Sequence, residues 1–239
     1  AYLKRYYPVQ FIAAVINNRI TNQDEIAKYV EYLRGSGVTI YPPDINISDV
    51  YFKCENGGLR YGLMGIKNVG EAAISTIVED RKKNGNFKDL EDLIRRSDKS
   101  ALNKRMLESL IKAGALDCFG ETRATHIVNY EAIINVSNHD KALSNGGQIT
   151  MFEDLFGEQE STFNMTKIAE YPKNDILSSE KDMLNLYLSG HPLDEYREKY
   201  SEEAFTLNDI KPILDVERVG DDGEENMEDN DVTALIKEY

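Results

Sequence analysis

The stretch from Arg60 to Arg81, RYGLMGIKNVGEAAISTIVEDR, constrains this chain more than any other. An apolar run ends at Gly65-Ile66, a tight turn at Lys67-Asn68 leads to Val69-Gly70, and a strong helix former, Glu71-Ala72-Ala73-Ile74, takes over. This is the pattern of a helix-hairpin-helix. Its two glycines let the backbone turn sharply and lie close to a partner. The second helix points its unpaired N–H groups and the positive end of its dipole at the turn, which makes a ready phosphate site. Such a site holds nucleic-acid backbone without reading bases. The alternative is an αα-corner packed only for shape. Lys67, a cation at the turn itself, favours the phosphate reading.

A more degenerate copy follows in LNKRMLESLIKAGALD, Leu102 to Asp117. Met106, Leu107, Leu110 and Ile111 recur at helical spacing. Lys112-Ala113-Gly114-Ala115 then turns the chain, and Thr122 is placed to cap the next helix. Two hairpins in tandem suit duplex DNA, because each can hold the phosphates of one strand.

The rest of the chain reads as mainly α with a small β-hairpin. Pro8 suits the first turn of a helix carrying Phe11, Ile12, Val15 and Ile16. Thr21 with Asp24 resembles a capping box opening a helix through Ile26, Val30 and Leu33 to Gly35, which is expected to stop it. Tyr51 to Cys54 and Leu59 to Tyr61 flank Glu55-Asn56-Gly57-Gly58, a strong hairpin signal. The hairpin helix is expected from about Glu71 to Lys83, with Asn84-Gly85 ending it. Leu90, Leu93 and Ile94 mark a short helix. Asn138 to Gly147 reads as a polar connection, and Ser179 with Asp182 as the start of a helix carrying Met183, Leu184 and Tyr187.

Charge sharpens the picture. The net charge of −14 is unusual for a partner of DNA, but it is unevenly spread. Arg60 to Arg123 holds 13 Lys/Arg against 10 Asp/Glu, a local balance of +3, whereas Asp215 to Asp231 holds nine acids and one Arg, a balance of −8. Charge within a Debye length of about 10 Å governs phosphate binding, so the mildly basic hairpin region is compatible with DNA, though a balance of +3 predicts weak binding by this piece alone. The acidic run has no assigned role. No apolar run approaches the roughly 20 residues of a membrane helix, and no signal peptide is visible. Cys54 and Cys118 lack partners at metal spacing, so reduced thiols in a cytoplasmic protein are expected.

A second binding motif is Gln148-Ile149-Thr150-Met151-Phe152. Gln148 can give and accept hydrogen bonds at a pocket rim, while Met151 and Phe152 can fill an apolar cleft. The competing reading puts Met151, Phe152, Leu155 and Phe156 on one face of a core helix. Ser189-Gly190-His191-Pro192-Leu193 invites a hydrolase reading, but no acid–base–nucleophile arrangement supports it and a turn is favoured. His126 and His139 have no carboxylate or Cys partner at ligand spacing. No Walker A loop, dinucleotide fingerprint or nucleophile elbow is present. Catalytic and metal residues are therefore not assigned.

These segments occur together and in this order in one family. AYLKRYYPVQFIAAVINN, YPPDINISDVYF, LRYGLMGIKNVGEAAISTIVEDR, LNKRMLESLIKAGALDCFG, GQITMF and LYLSGHPLDEYR make the chain similar to the bacterial DNA polymerase III alpha subunits of the DnaE type. The resemblance implies a division of the chain. Residues 1–58 look like the end of the polymerase fingers, and 59–143 like a tandem helix-hairpin-helix domain. Residues 144–174 look like a flexible segment with a clamp-binding motif, and 175–239 like a helical connector toward a missing OB-fold. It implies duplex DNA as partner of Gly65, Ile66, Lys67, Val69 and Gly70 in the first hairpin and of Ala113, Gly114 and Ala115 in the second. It implies a sliding clamp as partner of Gln148, Met151 and Phe152, and other replisome subunits as partners of the parent protein. The family's magnesium-binding aspartates belong to a palm expected upstream of Ala1, so no cofactor is expected in this chain, and it is expected not to polymerise DNA by itself. The start at Ala1 and the strand-like end at Val232 to Ile236 are read as cuts in a longer polypeptide. Two rivals remain: a free-standing DNA-binding accessory protein, and a structural interaction module whose hairpins never touch DNA.

Overall fold

A three-stranded sheet and the helices around it share one core, and each element follows from local chemistry. The computed structural model describes residues 2–97, 102–145, 163–194 and 196. Residues 1–192 form one unit and 193–239 a second, of which the description reaches only Leu193, Asp194 and Tyr196.

Helix α1 spans Tyr2–Tyr6, and α2, Pro8–Asn17, begins on its proline and buries Val9, Ile12, Ala13 and Ile16. Helix α3, Gln23–Gly35, buries Ile26, Val30 and Leu33. Its cap is one residue later than the sequence spacing indicated: the Asn22 side chain, on extended backbone, accepts from Glu25 N–H. Its stop is also displaced, because Gly37 rather than Gly35 carries the left-handed φ of 78°.

Strands β1, Ile40–Tyr41, β2, Lys53–Glu55, and β3, Gly58–Arg60, are ordered β1-β3-β2. The antiparallel β2–β3 pair is the expected hairpin, its turn made by Asn56 and Gly57 at φ 47° and 79°. The parallel pairing of β1 with β3 adds a strand to it. After β3 a single 3-10 turn, Leu63–Gly65, replaces the first α-helix of the hairpin pattern.

Helix α4, Glu71–Asn84, ends at Gly85 with φ 86°. Helix α5, Leu90–Arg96, is capped by Asp89, and α6, Lys104–Lys112, by Asn103. The α6 stripe Met106, Leu107, Leu110 and Ile111 is buried as its spacing requires. Helix α7 spans Arg123–Asn145, so most of the stretch read as a polar connection is helical. No glycine or proline interrupts it before Gly146. Helix α8, Lys173–Leu184, starts at Pro172, which leaves Ser179 and Asp182 inside the helix instead of capping it. It stops where Asn185 takes φ 59°.

One hydrophobic core runs from Val9 on α2 through Tyr61, Ile74 and Leu107 to Leu184 and Leu186. Residues 2–58 and the hairpin-bearing stretch therefore share one core.

Candidate nucleic-acid interface

The first hairpin is built by burying its own consensus residues. Ile66 and Val69 are 1% and 7% exposed, and they anchor the loop in the core. Gly65 is buried too. A Cβ there would lie 2.8 to 2.9 Å from the rings of Phe52 and Tyr61, so packing alone requires glycine. Its carbonyl accepts from Gln23 Nε2 at 2.8 Å and from the Tyr61 hydroxyl at 3.0 Å. Lys67 N–H donates to Met183 O in the last turn of α8 at 3.0 Å. Asn68, at φ 64°, donates from its side chain to Ser109 Oγ on α6 at 3.0 Å.

What this fixed loop leaves in solvent is Lys67, Asn68, Gly70 and the first residues of α4. Gly70 differs from Gly65. Its φ of −91° suits any residue, and no atom lies within 4 Å of where its Cβ would be. The space before the α4 start is open. That start has no side-chain cap, unlike α3, α5 and α6, whose caps are Asn22, Asp89 and Asn103. A helix start with free N–H groups, positive dipole end and a lysine three residues before it has the chemistry to accept an anion. The one carboxylate of the first turn, Glu71, accepts a hydrogen bond from the Tyr51 hydroxyl.

Arg60, Arg81 and Lys82 are engaged elsewhere. Arg60 grips Glu55 through two bonds of 2.8 Å and lies over the Tyr41 ring at 4.7 Å. Arg81 is buried and donates to Ile45 O and Ser48 O at 2.7 and 2.9 Å, which ties α4 to the loop before β2. Lys82 reaches Asp49 at 3.3 Å.

The second hairpin is closed. Ala113, Gly114 and Ala115 are all buried. Their N–H groups donate back to Ser109, Ile111 and Leu110 at 3.0 Å, and Ala115 O accepts from Ile45 N–H at 2.8 Å. Gly114 has φ 78°, and a Cβ on it would fall 2.2 Å from Arg123 Nη2. That guanidinium covers the turn. It bonds Asp117 through Nε at 3.0 Å and Nη2 at 2.7 Å, and Glu180 through Nη2 at 3.1 Å. Glu180, 1% exposed, accepts in turn from the N–H groups of Leu188 and Ser189 at 3.1 and 3.0 Å. The Ser189–His191 loop is thus organised as a turn on a buried carboxylate.

The start of α7 is also occupied. Arg123 N–H and Ala124 N–H donate to the two oxygens of Glu170 at 2.8 and 3.2 Å, and Thr125 N–H donates to Thr122 Oγ1 at 3.0 Å. Burial works to raise the Glu170 carboxyl, but the N–H donors of Tyr171, Arg123 and Ala124 outweigh it and hold it below the usual carboxylate range. The segment carrying Glu170 is strapped along α7 by Thr166 N–H to Asn129 Oδ1 at 2.9 Å and Ile168 N–H to Thr125 Oγ1 at 3.0 Å. Sequence reading missed Glu170, Glu180 and Tyr51; no spacing marks them, because each meets its partner across a long stretch of chain.

Gln148, Met151 and Phe152 lie outside the described residues. His126 is fully buried with neither ring nitrogen bonded, and burial holds it below its ordinary range. Among the described residues no cluster of His, Cys, Asp and Glu is placed to hold a metal ion, and no helix is long and apolar enough to cross a membrane.

Comparison with known proteins agrees with this geometry. Residues 37–126, which contain both hairpins, match the helix-hairpin-helix motif family. The DNA polymerase III subunit alpha of Borreliella burgdorferi is 39% identical over 199 residues, 82% of this chain and 17% of the relative. The subunit of Thermus aquaticus is 36% identical over 214 residues, 90% and 17%, and that of Campylobacter jejuni 36% identical over 233 residues, 94% and 19%. The match covers most of this chain but only 17 to 19% of these relatives, and on it the chain is a relative of the bacterial DNA polymerase III alpha subunits.

Proposed function

We propose that this chain holds the backbone of duplex DNA, without base readout, as part of a replicative DNA-directed DNA polymerase of the polymerase III alpha type. The observation that carries the reading is the uncapped start of α4, with open space before Gly70 and Lys67 beside it. Phosphate fits there as an acceptor for N–H groups that nothing else satisfies. The buried members of the motif, Gly65, Ile66 and Val69, shape the loop. Ala113, Gly114 and Ala115 serve DNA indirectly, by fixing the second hairpin under the first.

The same reading assigns Gln148, Met151 and Phe152 to a sliding clamp. A weak peptide contact suffices for such a tether, since it keeps the polymerase near the primer end by raising effective concentration. Nucleotidyl transfer, its magnesium ions and the contacts with other replisome subunits belong to the parent protein, which works in the cytoplasm. This chain alone does not extend a primer.

The test is fluorescence anisotropy with a labelled duplex over a salt series. The expected result is sequence-independent binding whose log K falls with log salt by about 0.9 for each phosphate neutralised, weakened in Lys67→Ala. Absence of salt-dependent binding overturns the reading in favour of a structural interaction module. Titration of a bacterial sliding clamp beside a Met151→Ala/Phe152→Ala variant tests the second contact; equal binding by both proteins overturns it.

A further inference from the structure

The starts of α7 and α4 each have a carboxylate within reach. At α7, Glu170 enters the start and takes two N–H groups. At α4 the carboxylate is Glu71, the first residue of the helix, where the dipole draws negative charge toward the unpaired N–H groups. Its side chain is instead engaged by the Tyr51 hydroxyl.

Tyr51 is well fitted to that task. The residue is 41% exposed, but its backbone is pinned on both sides. Asn17 clamps the next residue, donating to Phe52 O and accepting from Phe52 N–H, both at 2.9 Å. Leu63 N–H donates to Asp49 O at 3.0 Å and Met64 N–H to Val50 O at 2.9 Å. A Cβ on Gly62 would lie 2.5 Å from Tyr51 C and Phe52 N, so the two backbones touch. The phenol therefore stands on a rigid post fixed to the hairpin itself.

We infer that Tyr51 is a positioning residue for DNA: its hydroxyl holds the Glu71 carboxylate away from the start of α4, so that the N–H groups there stay available to a phosphate. The inference rests on the phosphate reading of that start. It extends that reading by assigning a role to a tyrosine outside the hairpin motif. A charge-assisted O–H···O⁻ bond is strong enough to compete with self-capping, and it leaves the hydroxyl turned to Glu71 instead of to DNA.

The test uses the full 239-residue chain and duplex anisotropy for wild type, Tyr51→Phe, Glu71→Gln, the double variant and Lys67→Ala, with thermal melts to establish that each is folded. Tyr51→Phe is expected to weaken binding about threefold to tenfold. Glu71→Gln is expected to bind at least as tightly as wild type, and the double variant to match Glu71→Gln, because Tyr51 has nothing to restrain once the carboxylate is gone. A spectroscopic readout checks the contact itself. The Glu71 bond holds the Tyr51 phenol above its ordinary range, and Glu71→Gln lowers it again. Binding that Lys67→Ala weakens and Tyr51→Phe leaves unchanged overturns the inference and keeps the phosphate site. Loss in Tyr51→Phe that persists in the double variant also overturns it, by making Tyr51 a direct contact. Failure of the wild-type protein to bind duplex overturns the phosphate reading and the inference with it.

Discussion

The starts of α4 and α7 follow hairpin turns of the same pattern, yet they end in opposite states. At α4 a glycine with ordinary φ faces open space and no side chain caps the helix. At α7 a left-handed glycine, Gly114, is roofed by Arg123, and the first N–H groups belong to Glu170 and Thr122. Unsatisfied N–H groups are costly when buried and useful when exposed. The molecule closes the helix start that packs against α8 and its strap, and leaves the other open to solvent. A shared motif thus does not imply a shared role. The difference lies in which long-range side chains reach the helix start.

The largest effects are expected where the closed hairpin is opened. Arg123→Met strands the buried Glu180 carboxylate, which bonds the guanidinium at 3.1 Å, and is expected to cost about 3–5 kcal/mol in urea denaturation. Adding Glu180→Met removes the stranded charge and recovers part of that loss; no recovery shows that Arg123 works through Asp117 and Lys112 O, which it bonds at 2.7 and 3.3 Å, instead. Next comes Gly114→Ala. Its φ of 78° disfavours a side chain, and the new methyl meets Arg123 at 2.2 Å, so a loss of about 2–4 kcal/mol is expected. A loss near zero in the same denaturation series would mean that the roof moves aside freely, and the contrast between the two hairpins would weaken.

Much of the fold is legible in local sequence. Asn56-Gly57 marks the β-turn, Gly85 the end of α4, and the spacing of Met106, Leu107, Leu110 and Ile111 the buried face of α6. What is illegible depends on partners far along the chain. β1 is two residues long and exists because β3 pairs with it in parallel. Asn22 outcompetes Thr21 as a cap by one residue of backbone geometry. In the candidate site, the residue types of the first turn are readable, but the separation of its roles is not. Gly65 and Gly70 look alike in sequence, and only the presence of Phe52 and Tyr61 beside one of them makes the first a packing glycine. Glu170 and Glu180 have no periodicity to betray them, since they act 47 and 57 residues from Arg123.

A smaller effect tests the carboxylate that closes α7. Glu170→Gln keeps the shape and removes the charge, and about 0.5–1 kcal/mol of stability is expected to go with it, screening at this exposed position limiting the figure. The pH dependence has a definite sign. The Glu170 carboxyl sits below its unfolded value, so the folded state releases its proton first. Its contribution is fully present above the unfolded range of about 4.3 and is lost as pH falls through the lower, folded value. Wild-type stability is therefore expected to drop more steeply with acid than that of Glu170→Gln, and parallel pH–stability curves would show that the strap holds α7 by its backbone bonds alone.

The smallest expected effect on stability is the most informative about function. Gly70→Ala adds a methyl at φ −91° with nothing within 4 Å. Alanine is a poorer N-cap than glycine, but it also restricts the unfolded chain, and the two effects offset to within about 0.5 kcal/mol. The methyl projects into the space before α4, where a phosphate would approach the N–H groups. Affinity for duplex DNA is accordingly expected to fall about threefold to tenfold while the melting temperature stays in place. Gly114→Ala is expected to do the reverse at matched fractions of folded protein, losing stability without a specific loss of DNA binding. If Gly70→Ala binds duplex as wild type does, the open start of α4 is not where the backbone rests, and the two hairpins differ only in how they pack.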